Sequence, residues 1–176
     1  ESSIKVEFDP RLEMSTEAII EIYNASKDME KDQQLMADVV KQLVESKNTA
    51  TNFSKTLKKE DKKLHKDAID LSTEISETIE NLISLYIGKE DKRQGITRNP
   101  EVTVLNRIRT AGWYGGSRPD GITQTEITLL KHAQDQLNNA LDKTNAFFEK
   151  DWLAYKDTMT NVKTKPFKDT KVFNKN

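Results

Sequence analysis

The sequence predicts an all-α protein: an up-down bundle of three long helices and one short one, preceded by a short N-terminal strand or extended lead-in. Three observations carry this. Apolar residues recur at steps of three and four through most of the 176 residues, which is the helical period. Only six Gly and four Pro are present, too few for an all-β fold crowded with tight turns. Helix start and stop signals fall where the apolar stripes begin and end. The chain is also polar, 35% hydrophobic and 32% charged, against typical values of about 45–50% and about 25%. A core therefore exists only if the scarce apolar residues are periodically placed.

The first residues, Glu1 to Phe8, put Ile4, Val6 and Phe8 on one side and Lys5 and Glu7 on the other. That period of two reads as a strand, and Asp9-Pro10 ends it because Pro has no N–H for a ladder and keeps its predecessor extended. A lone strand buries nothing without a sheet to receive it. Residues 1–12 are therefore either the last strand of a preceding β-domain or an extended linker.

A helical bundle domain is expected over residues 13–163. Ser15 caps the first long helix and Glu17 complements its dipole. Its stripe runs through Ile19, Ile22 with Tyr23, Ser26, Met29, Gln33, Met36, Val39 with Val40, Leu43, Lys47, Ala50, Phe53 and Leu57. The stripe thins between Lys47 and Thr51, where a break is conceivable, although no Gly or Pro enforces one. The charged run Lys58 to Lys63 marks a reversal. Leu64, Ala68, Leu71, Ile75, Ile79 with Thr78, Leu82 and Leu85 with Tyr86 then form a second stripe at nearly 3.5-residue spacing, as packed antiparallel helices require. Gly88 supplies the stop, since a residue without Cβ accepts left-handed geometry cheaply.

After a polar loop, Asn99-Pro100-Glu101 reads as a cap, a Pro at the first helical position and a first-turn acid. The short helix it opens carries Val102, Val104, Leu105 and Ile108 and is expected to end near Gly112. Residues 112–121 hold four of the six glycines with Trp113, Tyr114, Arg118 and Pro119, and read as one irregular aromatic loop. Thr123 with Glu126 forms a capping box, and Ile122 with Ile127 has the spacing of a hydrophobic staple. The last long helix carries Ile127, Leu130, Ala133, Leu137, Leu141, Thr144, Phe148, Trp152 with Tyr155, Met159 and Val162 to about Lys163. Residues 164–176 form a basic, peripheral tail.

Composition excludes several functions. Lys and Arg number 28 against 29 Asp and Glu, giving a net charge of −1 and no bulk attraction to nucleic acid. No window approaches the ~20 consecutive apolar residues of a membrane span. Cysteine is absent, so disulfides and thiolate sites are excluded while the compartment stays open. The first residue is Glu rather than Met, which predicts a mature or excised piece from which any targeting segment would already have been removed.

The search for chemistry yields little. His65 and His132 have no His, Asp or Glu at the i, i+4 spacing of a known metal pair apart from the ordinary neighbours of a charged surface, and read as solvated or boundary histidines. Asp61, Asp67, Asp70, Glu74 and Glu77 lie among Lys and Ser, as on a wetted helix face. No nucleophile elbow, P-loop or dinucleotide fingerprint occurs, and Gly115-Gly116-Ser117 lacks the lysine of a phosphate cradle. Catalytic residues, a metal and cofactors are therefore not expected. The contact candidates are Trp113, Tyr114 and Arg118: either the rings close the end of the bundle or dock on a neighbouring domain, or they stack on a sugar or partner surface.

The run Ile4-Lys5-Val6-Glu7-Phe8-Asp9-Pro10-Arg11-Leu12, followed by Ser15 and a long helix, resembles the start of the C-terminal helical region in bacterial sortilin-type, BNR (Asp-box) repeat β-propeller proteins, often labelled glycosyl hydrolases. There a β-sandwich ends in a strand, a D-P-R motif and then a helical bundle. Leu105-Asn106-Arg107-Ile108 is similar to that family's L-N-x-x-[LI] helix, and Arg118-Pro119 with Thr123-Gln124 to its R-P-T-x-Q-like turn. This sequence departs by inserting Trp113 to Ser117 and by placing Asp120-Gly121-Ile122 before Thr123. The resemblance implies a larger exported bacterial parent, in the periplasm, at the outer membrane or secreted, whose ligand residues lie on its propellers. On this reading the chain is a non-catalytic accessory domain whose partners are the β-propeller and β-sandwich domains of the same parent, or another protein. The alternatives are a stand-alone protein-protein interaction module and, third, a carbohydrate-binding or hydrolytic site at the Gly112–Gly121 loop.

Overall fold

The computed structural model describes residues 3–4, 11, 14–89, 102–115 and 121–164. Among these the protein is all-α, with no strand. Its elements are α1 (Thr16–Asp61), α2 (Lys66–Ile87), α3 (Val104–Gly115) and α4 (Gln124–Ala146), then a π-helical turn (Phe147–Asp151) and α5 (Trp152–Thr160). Most of the expected N-terminal strand, the Asn99-Pro100-Glu101 cap, Arg118 and the tail beyond Thr164 lie outside the described residues. None of the described helices is long and apolar enough to cross a membrane.

The expected bundle, residues 13–163, divides into two compact units. One comprises residues 1–40 and 84–141, the other 41–83 and 142–176.

In the first unit α1 opens as its sequence dictates: the Ser15 hydroxyl accepts the Ala18 N–H at 3.1 Å, satisfying one of the orphan donors of the first turn. Ile19, Ile22 and Met29 are half-buried and Met36 is buried, but Ser26 and Gln33 are exposed. Ala25 and Asp32, one residue earlier in each case, take the inward positions. A 3.6-residue period tolerates either neighbour, so the period sets the number of turns while packing sets which residue of each turn faces inward. Lys27–Glu30 and Asp28–Lys31 pair at 2.6 and 2.9 Å on the exposed face, where such pairs contribute little.

Gly88, at φ +83°, ends α2 as expected, its N–H reaching Ser84 O at 2.9 Å. The short helix departs from expectation at both ends. Its cap is Thr103, whose hydroxyl accepts the Asn106 N–H at 3.1 Å, so Val102 lies before the helix and is exposed. Val104, Ile108 and Ala111 form the buried face. The helix also runs past Gly112 to Gly115, placing Trp113 and Tyr114 in its last turn rather than in a loop. Gly112 keeps ordinary helical geometry within α3, with Met29 Cε 3.7 Å from where a Cβ would be.

The start of α4 shows half of the expected box. The Glu126 carboxylate accepts the Thr123 N–H at 2.9 Å and the Thr123 hydroxyl as well. Glu126 is buried, whereas Ile127, the helical member of the expected staple, is half-exposed and Ile122 half-buried. The carboxylate took the inward position because its cap is satisfied there. Leu129 and Leu130 are half-buried, and Ala133, Leu137 and Ala140 continue the buried stripe.

In the second unit α1 is unbroken through Lys47–Thr51. Ser46, Ala50 and Ser54 are buried there at steps of four, so the stripe narrows to small side chains instead of lapsing. Lys47 bonds Glu80 at 2.9 Å and Thr51 lies 3.5 Å from Ser76. As α1 advances by four residues α2 retreats by four, which makes the two segments antiparallel.

The intervening turn is held by Asp61, whose carboxylate accepts the Lys63 and Leu64 N–H groups at 2.9 and 3.1 Å. Leu64, expected to open the second stripe, is 74% exposed; the inward residues are His65, Ala68, Ile69, Ser72, Ile75, Ile79 and Leu82. The turn places Leu64 outside because α2 begins only at Lys66.

Candidate functional site

The expected single rod after Thr123 is interrupted by the π-helical turn, where the Trp152 N–H bonds Phe147 O, five residues back. The reason lies in the stripe. From Phe147 to Tyr155 is eight residues, which at ~100° each would turn Tyr155 about 80° away from Phe147. One residue absorbed by an i→i+5 turn removes that drift. Phe147 and Tyr155 are accordingly both buried, with Met159 continuing their face. The inward ring is Phe147, not the expected Phe148, which is half-buried.

Four rings gather at this turn. Phe147 and Phe148 meet edge to face at 5.3 Å between centroids, Trp152 lies 6.3 and 6.4 Å from them, and Trp152 stacks on Tyr155 at 5.3 Å. Offset and edge-on rings at such distances add about 0.5–1.5 kcal/mol per pair beyond area burial. The Tyr155 hydroxyl is 3.0 Å from Ser72 Oγ, which itself donates to Ala68 O at 2.7 Å. A serine has one proton, and that proton is committed to the carbonyl, so the phenol is the donor. Burial pushes the Tyr155 phenol above its ordinary pKa.

Two open grooves flank α5. One, of about 330 Å³, is lined by Thr49 and Phe53 of α1 and by Trp152, Tyr155, Lys156, Met159 and Thr160. The other, of about 480 Å³, has Leu64, Ala68, Leu71 and Val162 as its apolar lining and His65, Asp67, Thr158 and Lys163 as its polar one. Sequence reasoning missed this region, since the aromatic positions were assigned to the core and the bulge has no residue-type signature.

Of the residues singled out from sequence, Trp113 is 78% and Tyr114 48% exposed, at the end of α3 in the first unit. Trp113 therefore does not close the bundle. Arg118 lies outside the described residues, so the expected trio is seen only as its two rings. His132 is exposed, but His65 is buried, with Nε2 3.6 Å from Glu60 Oε2, an ion pair only when the imidazole is protonated. The boundary reading thus fails for His65, which the turn carries inward.

Asp61, Asp67, Asp70, Glu74 and Glu77 are all exposed, as on a wetted face. Asp32 differs: burial first, and Asp28 second, raise its carboxyl above the ordinary range. Among the described residues no three His, Asp or Glu converge as metal ligands. No protein-family model matches the chain, and no curated protein or solved structure is similar to it at a significant level.

Proposed function

We propose that the chain is a non-catalytic helical accessory domain that docks on another protein surface through the end of α3. The observation that supports this reading is Trp113, a large ring 78% exposed on a regular helix rather than in a loop. Tyr114 beside it is half-exposed, and Tyr and Trp are the residue types that anchor interfaces. Such a ring on a structured helix is presented with little ordering cost. The resemblance to the C-terminal helical region of sortilin-type β-propeller proteins supports a partner within a larger exported parent, its propeller or sandwich domain, and an extracytoplasmic location.

The test compares the chain alone with the parent polypeptide by hydroxyl-radical footprinting, reading oxidation of the Trp113 side chain in each by peptide mass spectrometry. Docking protects Trp113 in the parent only. Equal oxidation of Trp113 in the two proteins refutes the reading, and turnover of a model glycoside by the chain alone refutes its non-catalytic part.

A second reading, a stand-alone module that self-associates, draws on Ile20 and Tyr23, which are 52% and 60% exposed and three residues apart on α1. Sedimentation velocity separates it: a strictly monomeric chain at high concentration counts against it.

A further inference from the structure

We infer that the groove between α1 and α5 of the second unit receives an acidic peptide segment presenting one aromatic side chain. The groove, about 330 Å³, is large enough for one ring and too open to enclose a free small molecule. Phe53, Trp152, Tyr155 and Met159 give it apolar walls, and the Thr49 and Thr160 hydroxyls, whose protons are donated to Glu45 O and Lys156 O, offer it only acceptor lone pairs. The Trp152 ring is held rather than loose: it stacks on Tyr155, which is anchored through Ser72. A rigid, half-exposed indole is a ready platform for an incoming ring.

Charge selects the flanks of that ring. Lys156 is the groove's one charged lining residue, and no acid lines it. On its own helix Lys156 has Trp152, Leu153, Met159 and Thr160 at the three- and four-residue positions, none of them acidic. Its ammonium makes no ion pair among the described residues, unlike Lys27, Lys31 and Lys47. The other groove lacks this bias, because Asp67 and Lys163 both line it. The proposal is independent of Trp113, which lies in the other unit.

The experiment uses the full chain carrying Trp113→Phe, so that Trp152 gives the one indole N–H signal, titrated with the blocked peptides DEFED, KKFKK and DEAED. DEFED moves the Trp152 signal saturably. DEAED, without the ring, binds at least about tenfold more weakly, since a buried aromatic anchor carries most of such an interaction. KKFKK binds about fivefold more weakly or worse, the scale set by an exposed ion pair. Lys156→Glu inverts the order of DEFED and KKFKK, and the milder Lys156→Gln lowers the preference; circular dichroism of both exposed-site variants verifies that they fold. Any of three results overturns the inference: no saturable Trp152 shift with DEFED, equal binding of DEFED and KKFKK, or a preference unchanged in both Lys156 variants. A Trp152 signal that responds to protein concentration instead of peptide also overturns it, in favour of a second copy as the occupant.

Discussion

Replacing Ser72 with Ala, Tyr155 with Phe, and both together tests a buried polar link between α2 and α5. Ser72 is fully buried and Tyr155 4% exposed, so water cannot substitute for a lost partner at either. Tyr155→Phe keeps the ring stacked on Trp152 and leaves Ser72 donating to Ala68 O. It removes one net hydrogen bond, about 1 kcal/mol. Ser72→Ala strands a buried phenol donor, about 1–3 kcal/mol, of which better helix propensity restores about 0.5. The double variant removes both polar groups, leaves nothing unsatisfied, and costs less than the sum by about 1 kcal/mol. Urea unfolding followed by circular dichroism, with m-values unchanged, measures all three. Additivity within about 0.3 kcal/mol would mean that the two hydroxyls do not interact, and the donor assignment would fall with it.

Other expectations follow from the same geometry. Because burial holds the Tyr155 phenol's pKa above its unfolded value near 10, the associated stability is intact below about pH 10 and is lost as pH rises through the folded pKa; Tyr155→Phe should flatten that alkaline decline in pH-resolved melts. Asp32, raised mainly by burial, opposes folding at neutral pH, and that cost disappears as pH falls below its unfolded pKa; Asp32→Asn should raise the melting temperature at pH 7 and change it little near pH 3. Gly121, at φ +96° with a Cβ position 3.2 Å from Ala18 Cβ, should lose about 1–3 kcal/mol as Ala. Gly112→Ala, in a helix with room beside Met29, should gain about 0.5–1 kcal/mol, and equal effects at the two sites on thermal melting would contradict the assigned backbone. Deleting exposed Lys150 should be tolerated, because the π-turn becomes regular α-helix with Phe147 and Tyr155 still on one face, whereas deleting exposed Lys131 turns every following residue by about 100° and should unfold the chain in circular dichroism.

The sequence by itself determined the helical class, the order of three long helices and one short one, the Ser15 cap, the Glu126 half of the Thr123–Glu126 box and the Gly88 stop. Those features are local: a capping oxygen, a residue without Cβ and a 3.6-residue period act within a few residues of themselves. Tertiary structure decided which of two adjacent positions faces inward, as where Asp32 replaces Gln33, Ser72 replaces Leu71 and Phe147 replaces Phe148. The same holds for Ser46 and Ser54, whose burial depends on how near the next helix comes and not on their own polarity. It also decided that α3 passes through Gly112, which set Trp113 outward, and that one residue is absorbed after Ala146. The reason is common to all of these: periodicity counts turns of one helix, but the phase of a stripe is fixed only by the surface against which it packs.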